Sequence, residues 1–213
     1  MRPGWTIAAA ALALAARPLP AQVTVEAFTG SAYNFPTPLT ISQSGEPDIG
    51  FNAHYETRPL EDTPYFGARV SFWKNDRAWI GTFVHHKLYL RDPPPDVQWF
   101  RITYGFNMAT VGLGWRRGRL SYTFGLGAVV THASNMVRGK SYTGTGGPFN
   151  KGYTFSGVTG LGSLQYKVPL LGGFFLAGET MASLSYIEVR VMDGKARVPA
   201  AAVHLHLGFG YGF

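Results

Sequence analysis

The sequence contains no cysteine and few charged residues. Without cysteine the chain can form no disulfides, thiolate nucleophiles or Cys-ligated metal sites. Asp, Glu, Lys and Arg make up only 15% of the residues, whereas soluble domains carry about a quarter. Hydrophobic residues reach 46%, a fraction too high for a disordered chain. This balance is typical of a protein whose surface does not face water everywhere.

The sequence also lacks a concentrated basic stripe. Its formal net charge is +7, but the basic residues are scattered singly, except for Arg116, Arg117 and Arg119 around Gly118. Proteins that bind nucleic acids gather Lys and Arg along one face. We therefore expect no nucleic-acid partner, and no motif in the sequence points to a cofactor.

No apolar run is long enough to cross a bilayer as a helix. The run at residues 7–16 is about half of the roughly 20 residues that a spanning helix needs. It follows Arg2 and precedes Arg17-Pro18-Leu19-Pro20-Ala21, which is the three-part layout of a secretory signal peptide. We expect residues 1–21 to be a signal peptide that is cleaved after Ala21, and residues 22–213 to form one exported domain.

Alternating apolar and polar residues predict strands throughout this domain. In residues 98–110 every second residue is apolar or aromatic, and residues 120–130 repeat the pattern after a short turn. Only helices and closed barrels span lipid, and alternating segments of about ten residues with aromatic ends are typical of outer-membrane barrels. Further strands are expected near residues 23–33, 49–56, 66–72, 78–90, 153–167, 173–190 and 203–213.

The last segment carries the most specific pattern. In residues 203–213 apolar and aromatic residues alternate with His and Gly, and the chain ends on Phe213. This segment resembles the final strand of bacterial outer-membrane β-barrel proteins, in which a C-terminal Phe is read by the barrel-insertion machinery. The resemblance spans about residues 23–213. It implies an all-β fold, a small antiparallel transmembrane β-barrel in the bacterial outer membrane, with lipid and lipopolysaccharide as its surroundings.

The number of strands is left open between eight and ten. Nine strands are clear in the pattern, and an even number is expected for such barrels. Either residues 39–43 form a tenth strand, or one segment is misread and the barrel has eight.

If the aromatic registers face lipid, the opposite registers point into the lumen. Charges buried in a narrow barrel need partners, and Glu56 and Glu179 would pair with Arg69, Lys87 and Arg101. A polar plug is the favoured interpretation. Histidines that bind a metal or gate protons are the alternative, but their spacing is not that of a ligand set, so no metal site is predicted. The lumen residues predicted in this way are His54, Glu56, Arg69, His85, Lys87, Arg101, Glu179, His204 and His206.

One short motif, Thr131-His132-Ala133-Ser134-Asn135, suggests chemistry. Counting by twos places His132 and Ser134 on the lipid-facing register, about 6 to 7 Å apart at the Cα atoms, where a Ser with a His as base could attack an ester. The motif resembles the active site of the lipid A 3-O-deacylase family, small outer-membrane barrels that hydrolyse an acyl chain of lipid A. The resemblance implies that His132 is the base, Ser134 the nucleophile and Asn135 an oxyanion or positioning residue. That family also supplies a Glu on the following strand, whereas residues 136–168 contain no Asp or Glu.

The sequence favours a structural or binding role in the bacterial envelope. A lipid A ester hydrolase is the alternative, and the simple start of a polar loop is the competing interpretation of the motif. A small-solute channel is less favoured, because side chains largely fill a lumen of this size. A soluble lipocalin-like barrel would require most of the alternating aromatics to face inward.

Overall fold

The computed structural model describes residues 22–144 and 152–213, so the predicted signal peptide lies outside the described residues. Within this part of the chain no helix is long and apolar enough to cross a membrane. A 3-10 turn at Leu171–Gly173 precedes β10. The eleven strands are β1 (Val23–Phe35), β2 (Thr37–Gln43), β3 (Ile49–Glu56), β4 (Phe66–Lys74), β5 (Arg77–Arg91), β6 (Val97–Arg117), β7 (Leu120–Val137), β8 (Lys140–Thr143), β9 (Thr154–Pro169), β10 (Phe174–Val191) and β11 (Gly194–Gly212).

Eight of these strands close into an antiparallel barrel. Around the ring they are β1, β4, β5, β6, β7, β9, β10 and β11, and β11 pairs back onto β1 from Thr24↔Gly212 to Phe35↔Ala201. Closure pairs the backbone amides and carbonyls of each strand with those of its neighbours, as a spanning sheet requires. The predicted all-β antiparallel barrel is confirmed, with eight strands in its wall.

The additional strand expected at residues 39–43 exists, but it does not belong to the barrel wall. β2 and β3 form a hairpin beyond the end of β1, where β2 pairs with the start of β11 and β3 with the end of β5. Pro36 separates β1 from β2, since proline has no N–H to donate to a sheet. β8 pairs with the end of β7 at the same end of the barrel. We call this region, β2, β3, β8 and the adjoining strand ends, the extension.

The outer face of the barrel is an apolar belt. β10 alternates strictly between exposed and buried residues, and the stretch from Phe174 to Tyr186 rises about 30 Å at the tilt usual for barrels. Most of the alternating apolar and aromatic side chains therefore face outward, which contradicts the soluble alternative and matches a transmembrane β-barrel. The first half of β6 is a correction to the sequence pattern: Phe100, Ile102, Phe106 and Met108 belong to the register expected to face lipid but are buried inside, and a register shift between Ile102 and Phe106 interrupts the alternation. The exposed apolar side chains include Val25, Tyr33, Phe66, Val70, Phe72, Trp79, Val111, Leu113, Phe124, Leu126, Val158, Leu164, Leu176, Leu184, Leu205, Leu207 and Phe209.

The interior changes character along the barrel axis. Apolar side chains fill the extension, among them Leu39, Ile41 and Val189. A smaller apolar cluster of Trp73, Ala78 and Ile80 lies near the opposite end. Between the two lies a polar layer at the level of the outer belt.

Candidate functional site: the lumen network and the barrel rims

Two acidic and two basic side chains meet inside the barrel. Arg69 on β4 donates from Nη2 to Oε1 of Glu179 on β10 at 2.6 Å, and its Nη1 lies 3.8 Å from Oε2 of Glu26 on β1. Lys167 on β9 donates to the other oxygen of Glu26. The side chains of Arg69, Glu26 and Glu179 are almost fully buried. One guanidinium and one ammonium therefore balance two carboxylates, so each buried charge has a partner of opposite sign.

A chain of hydrogen bonds leads away from Glu179. His206 Nδ1 donates to Glu179 Oε2 at 2.9 Å, and His206 Nε2 accepts from the Tyr65 hydroxyl at 2.7 Å. His204 Nδ1 donates to the same hydroxyl at 2.8 Å, and its Nε2 accepts from Ser183 Oγ at 2.8 Å. These donor and acceptor roles follow if Glu179 is ionised and both histidines are neutral. Every ring nitrogen of His204 and His206 is thus occupied, and among the described residues no cluster of His, Asp and Glu could hold a metal.

Tyr65 connects this network to a segment outside the barrel wall. Residues 57–65 run from the extension down to the start of β4, and Tyr65 at their end is fully buried. Thr29 Oγ1 donates to the Tyr65 carbonyl at 2.8 Å, and Asn34 Nδ2 donates to Thr57 Oγ1 at 3.0 Å. The segment is therefore fixed at both of its ends to β1.

The structure places Arg69, Glu179, His204 and His206 of the predicted lumen set inside the barrel, and it contradicts the prediction for three other residues. His54 is exposed, because β3 belongs to the extension rather than the barrel wall. Glu56 lies at the surface, paired with Arg58 at 2.8 Å and Arg91 at 3.0 Å. The hydrogen bond from Arg58 lowers the pKa of the Glu56 carboxyl. Arg101 is also exposed and lies over the Trp99 ring.

On β5 the predicted inward histidine is the wrong one of two neighbours. His85 pairs with the outward Phe66 and stacks on its ring at 5.0 Å, so the next residue, His86, points into the lumen. His86 Nε2 hydrogen-bonds Asn34 Oδ1 at 2.9 Å. Lys87 is buried but lies outside the charge network: a register shift in β5 between His86 and Leu88 puts it under residues 57–65, where it donates to the Glu61 carbonyl.

Glu26, Lys167 and Tyr65 also belong to the network, but they were not among the lumen residues predicted from the sequence. A signal for Glu26 was present, because Val25 and Ala27 are the apolar neighbours that face outward on β1 and leave Glu26 in the inward register. Tyr65 lies in a segment without periodicity, so no pattern could have placed it.

The His132 motif lies on β7 at the aromatic rim below the extension. The His132 ring lies 5.5 Å from the rings of both Tyr104 and Tyr153. Ser134 shares its outward register and is covered by β8, with Ser134 Oγ 3.4 Å from Thr143 Oγ1. Asn135 occupies the opposite register and donates from Nδ2 to the Arg190 carbonyl at 3.0 Å. The structure thus brings His132 and Ser134 to one face, whereas the Asn135 amide points away from it.

Cations lie above the apolar belt on the β10–β11 hairpin. Arg190 and Lys195 are directly opposite each other, and Arg197 follows on the same outward face. Lys195 Nζ lies 2.9 Å from Glu188, whereas Asp193 of the turn binds Lys140 of β8 at 2.8 Å. We call Lys140, Arg190, Lys195 and Arg197 the upper cationic rim.

No family model and no curated protein matches this chain. Among solved structures it is similar to Ail, the attachment invasion locus protein of Yersinia pestis, at 16% identity over 90% of this chain and 99% of that one, with a TM-score of 0.43. Neisserial surface protein A is 13% identical over 90% and 97%, with a TM-score of 0.42. The outer membrane protein AlkL is 10% identical over 93% of each chain, with a TM-score of 0.49.

Proposed function

We propose that the chain is a bacterial outer-membrane protein with a structural or binding role, built as a closed barrel that does not conduct. The observation that carries this proposal is the belt of exposed apolar side chains around a barrel whose interior is filled. Hydrocarbon is the solvent that such a belt fits, and a cleaved leader at residues 1–21 would deliver the chain to it.

Turn lengths support one orientation in the membrane. At one end Asn75-Asp76 and Gly118-Arg119 connect β4 to β5 and β6 to β7. At the other end lies the extension. Barrels of this class keep short turns in the periplasm and longer loops outside the cell. The extension is therefore the extracellular part in this proposal.

The interior argues against a channel. Arg69, Glu26 and Glu179 fill the polar layer, and the apolar side chains of the extension pack above them. A barrel of eight strands is only wide enough for its own side chains.

The upper cationic rim supports binding to lipopolysaccharide. In the proposed orientation it lies directly above the exposed Tyr186, at the level where phosphate groups of the outer leaflet begin. Arg190 has no acidic partner among the described residues, and Arg and Lys are the side chains that bind phosphate through charged hydrogen bonds.

The proposal is tested by expressing the full chain in a Gram-negative host. We expect the mature protein in the outer-membrane fraction, resistant to urea extraction and migrating differently on gels with and without boiling. Planar-bilayer recording of the purified barrel should show no stepwise conductance. Recovery of the chain in the soluble periplasmic fraction, or regular conductance steps, would refute the respective part of the proposal.

A lipid A ester hydrolase is a second candidate, favoured by the shared outward face of His132 and Ser134 at the aromatic rim. In this reaction the His132 imidazole would take the proton of Ser134 Oγ as that oxygen attacks an acyl ester. Mass spectrometry of lipid A from cells with wild-type protein, His132→Ala or Ser134→Ala at equal abundance decides it. Loss of one acyl chain with the wild type alone supports hydrolysis, and identical lipid A in all three samples argues against it.

A further inference from the structure

The short-turn end of the barrel carries two cations without acidic partners. Lys74 and Arg77 are directly opposite each other across the β4–β5 turn. Like charges opposite each other in a sheet are destabilising. The acid of the turn, Asp76, lies 3.6 Å from Arg116 instead. In the described part of the chain, neither Lys74 nor Arg77 has an acidic partner, so an anion from outside the protein would relieve their repulsion.

An aromatic groove begins beside these cations. Phe72 pairs with Trp79, Trp79 with Leu113, and Arg77 with Trp115, all on the outward face of three adjacent strands. The groove has a volume of about 640 Å³. Lys74 and Arg77 form its rim together with the turn residues Asn75 and Asp76, and the four apolar side chains form its walls.

The surface above the groove is open because one outward position is a glycine. Gly81 lies on the belt, two residues along β5 from Trp79, and a Cβ built on it would meet nothing within 4 Å. Val70 and Val111 flank it as its direct neighbours on β4 and β6. The slot is therefore an open apolar strip that leads away from the cations.

We propose that this groove binds an anionic phospholipid of the inner leaflet, with the phosphate held by Lys74 and Arg77 and one acyl chain lying over Gly81. The proposal rests on the proposed function, because only the periplasmic orientation of this end places it among phospholipids rather than lipopolysaccharide. Trp79 and Trp115 would lie at the level of the glycerol esters, where such aromatic rings are enriched. The occupant follows from charge complementarity, since a zwitterionic lipid brings a headgroup cation with its phosphate and therefore leaves the two protein cations with no net compensation.

The experiment uses tryptophan fluorescence of the refolded barrel in vesicles. Trp99→Phe serves as the background, because Trp99 lies at the far end of β6. The vesicles consist of phosphatidylcholine with a small fraction of a brominated lipid. The brominated lipid is either phosphatidylglycerol or phosphatidylcholine, and in both cases it carries bromine near the carbonyl end of its acyl chains. Each leaflet has the same composition, so the direction of insertion does not matter. Trp73, the third tryptophan of the barrel, is buried inside it and is shielded from lipid. Greater quenching by the brominated phosphatidylglycerol therefore reports its enrichment at Trp79 and Trp115.

We expect phosphatidylglycerol to be favoured by about fivefold for each cation, and the preference to fall with salt. Lys74→Gln/Arg77→Gln should abolish it, and Gly81→Leu, which fills the slot and keeps the charges, should weaken it. The matched control Arg190→Gln/Lys195→Gln removes two opposed cations at the other end and should leave the preference unchanged.

Equal quenching by both brominated lipids in an inserted barrel would overturn the phospholipid site alone. A preference that survives Lys74→Gln/Arg77→Gln would also overturn it, since general charge attraction would then account for the enrichment. Insertion is read separately from the shift in gel mobility before boiling. A chain that never inserts would overturn the proposed function and this inference together.

Discussion

Replacing Arg69 by Met tests whether the lumen network holds the barrel together. The side chains of Arg69 and Glu179 are each only 2% exposed and are joined at 2.6 Å. Arg69 also donates from Nε to Thr82 Oγ1 at 3.3 Å. Removing one member of a buried ion pair costs about 3 to 5 kcal/mol, because the other charge stays buried without compensation. That loss is a large part of the about 5 to 15 kcal/mol that stabilise a typical folded domain.

A second variant separates the pair from the packing around it. Glu179→Gln removes the negative charge but keeps an oxygen that can accept the His206 hydrogen bond. In Arg69→Met/Glu179→Gln no charge of this pair is left unbalanced, so the double variant should lose less stability than the two single variants combined. We expect a coupling energy of about 2 kcal/mol, within the range for residues in direct contact.

The assay is equilibrium urea unfolding in lipid vesicles, followed by tryptophan fluorescence and by gel mobility without boiling. Glu188→Gln is the matched control, because Glu188 pairs with Lys195 at 2.9 Å but its side chain is 44% exposed. An exposed pair contributes about 0 to 1 kcal/mol. A cost of Arg69→Met no greater than that of Glu188→Gln would contradict a stabilising role for the buried pair, as would losses that simply add in the double variant.

Two further perturbations address the loop anchor and the barrel wall. Tyr65→Phe removes the hydroxyl between His204 and His206. This variant should lower the free energy of unfolding by about 1 to 3 kcal/mol and speed proteolysis within residues 57–65. Unchanged unfolding and cleavage would contradict an anchoring role for Tyr65. Gly112→Ala should sharply reduce the yield of folded barrel on unboiled gels, because its Cβ would lie 2.0 Å from a backbone oxygen of β7. Gly81→Ala is the control: its Cβ would have no atom within 4 Å, so this variant should fold like the wild type. Equal yields of the two glycine variants would refute this account.

The strands of the wall were predictable because lipid imposes a strict requirement on every second residue. β7, β10 and β11 each follow it closely enough to be read from sequence alone, whereas β6 interrupts the alternation and buries Phe100, Ile102 and Met108. The inner face imposes no comparable requirement, so several residues predicted to face the lumen were placed wrongly. A one-residue slip moves a side chain to the opposite face, and it was enough to exchange His85 for His86. His54 and Glu56 were misplaced for a different reason, because alternation also describes a strand that pairs above the membrane.

Glu179 was expected as one of two acids for Arg69, but the pattern could not settle which acid meets which base, because the partners within the lumen come from strands far apart in the sequence. Arg69 and Glu179 are 110 residues apart, and Glu26 and Gln165, which are also hydrogen-bonded, are 139 residues apart. No strand or hairpin holds both members of either pair, so these contacts form only when the ring closes. The apolar residues of each strand favour its association with the membrane surface before closure, whereas the charge network stabilises only the closed state. It follows that variants of Arg69 should affect closure of the barrel more than the membrane association of the chain, and the two gel species, folded and unfolded but lipid-bound, should distinguish these effects.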